Sequence, residues 1–246
     1  MIYIVLGMHK SGTTLASQIL HHSGVNMGDN IDAHISYDGG NKYERASTLA
    51  LDMEILGVKD FIATDLVAPD TLEMTKAQHT RMQEIIQNCN KAYDNWGFKD
   101  PRACLVYPLW ASELPEHKII AIYRSPDEIW LRYRYNGWRY FYTNPLRAWK
   151  LINRWVEHNI NILNYLQSTE MDSLVLSYRE LVTAQAEFDR LQKFVGFELE
   201  DRRRANLYRN RPQVYPLLKI AIWLVHKRTG YTPEKIIEQF EALRQK

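Results

Sequence analysis

Five consecutive apolar residues, Ile2–Leu6, run into Gly7, and a second glycine, Gly12, follows just before a helical pattern opens at Thr13. An apolar run with no polar break reads as a strand buried on both faces, which calls for a parallel sheet covered by helices. The stretch between, Gly7-Met-His-Lys-Ser-Gly-Thr-Thr14, is then a tight strand-to-helix turn. Glycines permit the backbone geometry of such a turn, and the helix beyond it presents unpaired N–H groups and a partial positive charge. The result is an anion site, to which Lys10 adds a cation and Ser11, Thr13 and Thr14 add hydroxyl donors.

Helical periodicity covers Thr13–His22, Lys42–Leu56, Thr75–Tyr93 and Pro145–Leu166, and the residues from Ala184 onward are mostly helical. Strand-like segments lie at Trp96–Phe98, Lys118–Tyr123 and Ser173–Leu176. Alternating strand and helix predicts an α/β fold, a central parallel β-sheet flanked by helices with a helical C-terminal part. With no repeat or linker in its 246 residues, the chain is expected to form a single domain, 1–246. Its 46% apolar content supports one core that buries roughly 70–75% of the unfolded surface.

Charge is nearly balanced, 31 Lys+Arg against 29 Asp+Glu, so no global field draws nucleic acid or a membrane, and any basic site must be local. Two cysteines, Cys89 and Cys104, make neither a disulfide scaffold nor a metal cluster and suit a reducing compartment. Neither Ile2–Met8 nor Leu217–Val225 reaches the ~20 apolar residues of a membrane span. No basic leader precedes Ile2, and a cytoplasmic location is expected.

In a nucleoside-triphosphate loop, G-x-x-x-x-G-K-[ST], lysine directly follows the second glycine. Here Thr13 takes that place and Lys10 precedes Gly12 by two. A lysine so displaced reaches a bridging or leaving-group oxygen rather than a terminal phosphate. The string Gly-Met-His-Lys-Ser-Gly-Thr-Thr-Leu15 resembles the 5′-phosphosulfate loop of the sulfotransferases, which use 3′-phosphoadenosine 5′-phosphosulfate (PAPS) and have a P-loop nucleotide-hydrolase-like architecture.

Three further segments carry the resemblance in the same order. Trp96-Gly-Phe-Lys-Asp-Pro-Arg102 is similar to a string of many bacterial members and implies that Lys99 faces the cleft. Ile119-Ile-Ala-Ile-Tyr-Arg-Ser-Pro126 resembles the 3′-phosphate segment, which assigns Arg124 to that phosphate; a guanidinium offers the bidentate fork that phosphate needs. Leu176-Ser-Tyr-Arg-Glu-Leu181, followed by Leu191-Gln-Lys-Phe-Val-Gly196, resembles the strand exit that places Tyr178 near adenine.

Two departures matter. The serine usual eight residues after Arg124 is Arg132 here, so either a second guanidinium replaces it or Ser125 and backbone groups serve. Where cytosolic members carry a catalytic histidine two residues after the lysine, this chain has Pro101. Asp100 and Arg102 either take part in the site or form a structural ion pair.

The resemblance implies PAPS as donor, adenosine 3′,5′-bisphosphate (PAP) as product, and no metal. Lys10, Thr13 and Thr14 would stabilise the leaving phosphate, and Lys99 the sulfuryl oxygens. Glu44, in Asn41-Lys-Tyr-Glu44, is the first choice for the base and His34 the second, with burial needed to raise the carboxylate toward neutral pH. The aromatic and basic stretch Tyr133–Tyr142 favours a carbohydrate or glycolipid acceptor. Arg202–Arg204, Arg209 and Arg211 form a second basic cluster, from which one arginine is a candidate to close over the 3′-phosphate. The alternatives are a small-molecule kinase, which would need magnesium and ATP, and a nucleotide-binding module without turnover.

Overall fold

The run Ile2–Leu6 forms strand β1, buried along its whole length. The structure is a computed structural model that describes residues 1–29, 31, 34, 40–59, 65–133, 144–204, 208 and 215–245. Strands β2 (Trp96–Lys99), β3 (His117–Tyr123) and β4 (Ser173–Ser177) join β1 in a parallel sheet of order β2-β1-β3-β4. In register, Val5 lies opposite Lys99, Leu6 opposite Ala121, and Tyr123 opposite Ser177.

Helices α1 (Thr13–His22), α2 (Ala46–Ile55) and α3 (Lys76–Ala92) lie between β1 and β2, and α4 (Ala103–Glu113) leads to β3. After β3 come α5 (Pro126–Tyr133) and α6 (Asn144–Ser168), and after β4 come α7 (Tyr178–Thr183), α8 (Gln185–Val195), α9 (Pro216–Thr229) and α10 (Pro233–Arg244). The chain moves from β1 out to β2 and then back past β1 to β3, so the strand order reverses between β1 and β3. Ligands of open α/β sheets bind at such a switch point, beyond the carboxyl ends of the strands.

Alternation along β1 divides the core. Ile2, Ile4 and Leu6 pack with Met82 of α3, Trp110 of α4, Trp155 of α6 and Phe240 of α10. Tyr3 and Val5 point the other way, into a layer with Leu15 and Ile19 of α1 and Leu191 of α8. Both faces are covered, which is why the central strands carry no polar alternation.

One boundary differs from expectation in a way that bears on the site. The helix expected over Lys42–Leu56 starts only at Ala46, because Tyr43 adopts a left-handed φ of 52° and Arg45 is extended. Helix α4 has no amphipathic signature, since six of its residues are buried, and it tolerates Pro108 in its interior at the cost of one backbone hydrogen bond. By contrast, α3 starts where the sequence marks it: Thr75 accepts from Gln78 N at 3.2 Å while Gln78 Oε1 accepts from Thr75 N at 2.9 Å, a reciprocal cap. No helix among the described residues is long and apolar enough to cross a membrane.

The β1–β2 approach depends on Gly97, where an added Cβ would lie 2.1 Å from Tyr3 O and 2.9 Å from Met27 Sδ. Gly97→Ala should therefore cost at least about 1–3 kcal/mol, typical of overpacking, read as a lowered urea midpoint with an unchanged m-value.

Candidate functional site

The turn after β1 is built by close approaches. Ser11 N donates to Met8 O at 3.0 Å, and Lys10 takes a left-handed φ of 69°, uncommon for a residue with a side chain. A Cβ on Gly7 would meet Ser11 Oγ at 2.6 Å and the carbonyl of Ile122 in β3 at 2.7 Å. Gly12, at φ 106°, caps α1 and lies so tightly under Tyr178 that a Cβ would stand 2.0 Å from that ring. With glycine as its N-cap, α1 has no side chain folded over its first N–H groups.

A cavity of about 230 Å³ opens over this turn. The turn contributes His9, Lys10, Gly12, Thr13 and Thr14; the other elements add Lys42, Glu44, Lys99, Arg124, Arg132 and Tyr178. Five of these side chains are cationic and one is a carboxylate, a charge pattern that attracts anions.

Glu44 is held from both sides. Tyr43 Oη accepts from Gln18 Nε2 at 3.4 Å and lies 3.0 Å from His22 Nε2. The buried Arg45 guanidinium donates to Asn26 O at 2.9 Å, Asn26 Oδ1 at 2.6 Å and Asp29 Oδ1 at 3.2 Å, and packs on the rings of Tyr93 and Trp96. Between these anchors Glu44 Oε1 pairs with Lys99 Nζ at 2.7 Å, and Lys99 also donates to Thr14 Oγ1 at 3.3 Å. Lys99 is only 1% exposed. Burial pushes its ammonium below the usual lysine range, and Glu44 pulls in the opposite direction.

Arg124 follows β3 directly. Its Nε donates to Glu128 Oε2 at 2.8 Å, its Nη1 to Lys10 O at 3.3 Å, and its guanidinium lies 4.2 Å from the Tyr178 ring centre. Glu128 is shared: Arg179 Nη2 donates to Oε1 at 2.9 Å and Tyr208 Oη at 2.7 Å. Arg132 reaches the same cavity from the last turn of α5.

A family model described as the sulfotransferase family matches residues 3–201. The chain belongs to the sulfotransferase family. No curated protein matches it in sequence. Among solved structures, the sulfotransferase domain of the Synechococcus PCC 7002 olefin synthase aligns with TM-score 0.50 and 16% identity, covering 98% of this chain and 93% of that one. The sulfotransferase domain from the curacin biosynthetic pathway gives 0.46 and 14%, with 99% and 96% covered. Sulfotransferase STF1 from Mycobacterium tuberculosis H37Rv gives 0.44 and 14%, with 97% and 75% covered. At 16% identity the likeness to the olefin synthase domain is one of fold.

In this sulfotransferase the sequence-derived candidates Lys10, Gly12, Thr13, Thr14, Glu44, Lys99, Arg124, Arg132 and Tyr178 converge on one cavity. Ser11 belongs to the turn but is buried beneath it. His34 does not join them: it is exposed and lines no part of the cavity. Asp100 and Arg102 form a buried ion pair of 2.6 Å below the site. Of the second basic cluster, Arg203 is tied to Asp201 at 2.7 Å and Arg202 to His22 at 2.8 Å, whereas Arg209 and Arg211 lie outside the described residues, as does Tyr133–Tyr142 apart from Tyr133. Lys42 was missed by the sequence reading, because the left-handed turn at Tyr43 breaks the spacing that would have linked it to Glu44.

His9 hydrogen-bonds the Tyr133 hydroxyl. Burial and the charges of Lys10, Lys99, Lys42 and Arg102 push its pKa down to about 3. It therefore stays neutral, and its contribution to stability is complete above the ordinary histidine pKa of about 6.5 and is lost as pH falls toward 3. In NMR titration of the folded protein, the His9 ring resonance should not move between about pH 5 and 8; a midpoint in that window would contradict the geometry.

Proposed function

We propose that the protein transfers the sulfuryl group of PAPS to an acceptor hydroxyl, with residues 1–246 acting as one domain. The observation that carries this reading is the charge pattern of the cavity, whose described lining residues include five cations and a single carboxylate, Glu44. Polar atoms awaiting partners support the fit. The buried Ser11 and Ser125 hydroxyls have no hydrogen-bond partner among the described residues, one within the turn and the other beside Arg124.

When bound, PAPS supplies a sulfuryl group already attached to a good leaving phosphate. Lys10, Thr13, Thr14 and the N–H groups of the turn would hold the 5′ end and balance charge on the departing oxygen. Arg124, with Ser125 and Arg132, would hold the 3′-phosphate, its fork kept in plane by Glu128. Tyr178, braced on Gly12 and Arg124, would pack against adenine. Lys99 would face the sulfuryl oxygens.

Glu44 is the base in this reading. Oε1 is engaged by Lys99, so Oε2 accepts the acceptor proton. His34 is not among the described residues that line the cavity, and His9 is held neutral with little basicity. Nothing in the scheme calls for a metal. A carbohydrate or glycolipid acceptor is proposed from the composition of Tyr133–Tyr142 alone, and the unbridged, buried Cys89 and Cys104 support a cytoplasmic setting.

Two variants test the assignments. Glu44→Gln should lower kcat by about 10²–10⁴-fold while PAP affinity, measured by calorimetry, is retained; unchanged kcat would remove Glu44 as base. Arg124→Ala leaves Glu128 its partners Arg179 and Tyr208, so folding should survive. PAP binding should then weaken by roughly tenfold or more, and adenosine 5′-phosphosulfate, which lacks the 3′-phosphate, by much less. Equal losses would reject the 3′-phosphate assignment.

A further inference from the structure

Helix α9 is apolar on two sides. Leu218, Ala221 and Val225 are buried against the core. On another side Ile220, Trp223 and Leu224 stand 57%, 58% and 44% exposed. Their spacing of three and four residues places them on one face of the helix. Lys219 and Lys227, both exposed, lie one turn before and one turn after Trp223 in the same row. The helix, Pro-Leu-Leu-Lys-Ile-Ala-Ile-Trp-Leu-Val-His-Lys-Arg-Thr, has no acidic residue. Helix α6, which packs on α9, also leaves Leu146 and Trp149 exposed.

A cluster of large apolar side chains held in water marks a surface that another phase or molecule covers. The charge pattern distinguishes the occupants. A second copy meeting this face about a twofold axis would bring lysines of one α9 against lysines of the other, with no carboxylate on either helix to relieve them. An anionic bilayer surface satisfies every group: aliphatic side chains enter the acyl boundary, indole lies at headgroup level, and the ammonium groups meet lipid phosphates.

We propose that this face of α9 docks the protein reversibly on anionic lipid, with Ile220 and Leu224 in the acyl boundary, the Trp223 indole at headgroup level, and Lys219 and Lys227 on the lipid phosphates. The protein's net charge of only +2 offers no general attraction, so binding depends on this local arrangement. The inference stands apart from the sulfotransfer reading, since none of these residues lines the cavity.

The test is co-sedimentation of the full chain with phosphatidylcholine vesicles, with and without phosphatidylglycerol, at low and high salt. Wild type should bind the phosphatidylglycerol vesicles, more weakly as salt rises, and leave pure phosphatidylcholine largely unbound. The variant with Ile220→Ser, Trp223→Ser and Leu224→Ser, and separately the variant with Lys219→Glu and Lys227→Glu, should each lose about tenfold in bound fraction. Both should keep their circular dichroism and PAP affinity, because all five positions are exposed and outside the cavity. No vesicle binding by wild type, or equal binding by the variants, would overturn the proposal. So would a concentration-dependent dimer in sedimentation velocity that the serine variant abolishes without any vesicle binding, which would assign the face to a second copy.

Discussion

The ends of three strands meet at one turn of backbone, and the molecule permits that meeting only because two residues lack a Cβ. Gly7 lies against the carbonyl of Ile122 in β3, and Gly12 lies under Tyr178, the residue that follows β4. Lys10 O accepts from Arg124, which follows β3. The turn after β1 is thus held to β3 and to the residue after β4 at separate points along its length. Helix α1 begins at this fixed position, so the direction of its N–H groups is set before any anion arrives.

Electrostatics follow from that geometry. Crowding cations around a small cavity is unfavourable without an anion; among the described lining residues only Glu44, tied to Lys99, is a carboxylate, while Glu128 pairs with Arg124. The residues on either side of Glu44 are themselves anchored, Tyr43 near His22 and Arg45 on Asn26, which fixes the backbone from which Glu44 reaches Lys99. A layer below, the Asp100–Arg102 pair and the Asp52 carboxyl, which accepts from Trp110 Nε1 at 2.7 Å, are sealed from water. Burial pushes the Asp100 carboxyl up to about 6 and Asp52 well above the usual carboxylate range. These groups stiffen the floor of the site and do not reach the cavity themselves.

Much of the site was legible because it sits on local signals. The strand Ile2–Leu6, the glycines of the turn, the arginine that ends Ile119–Tyr123 and the tyrosine after Ser177 each carry their meaning within a few residues. What escaped depended on distant partners. The start of α2 moved to Ala46 because Arg45 finds its hydrogen bonds at Asn26 and Asp29, a reason invisible in the periodicity of Leu49 and Met53. Helix α4 was expected only as a helical link between two strands, without bounds, because burial on most of its sides blurs amphipathic spacing. His34 and Glu44 were both reasonable bases on residue type, and only their positions in space separate them.

Sequence alone determined the class of fold, the glycine turn that opens α1 and the sulfotransferase kinship, because each is written in contiguous residues whose backbone preferences are local. Tertiary structure decided which charges share a cavity, that Glu44 meets Lys99 across 55 positions of chain, and that α9 leaves Trp223 in water. Those outcomes depend on packing between segments remote in sequence, where burial and pairing energies outweigh the preferences of any single stretch.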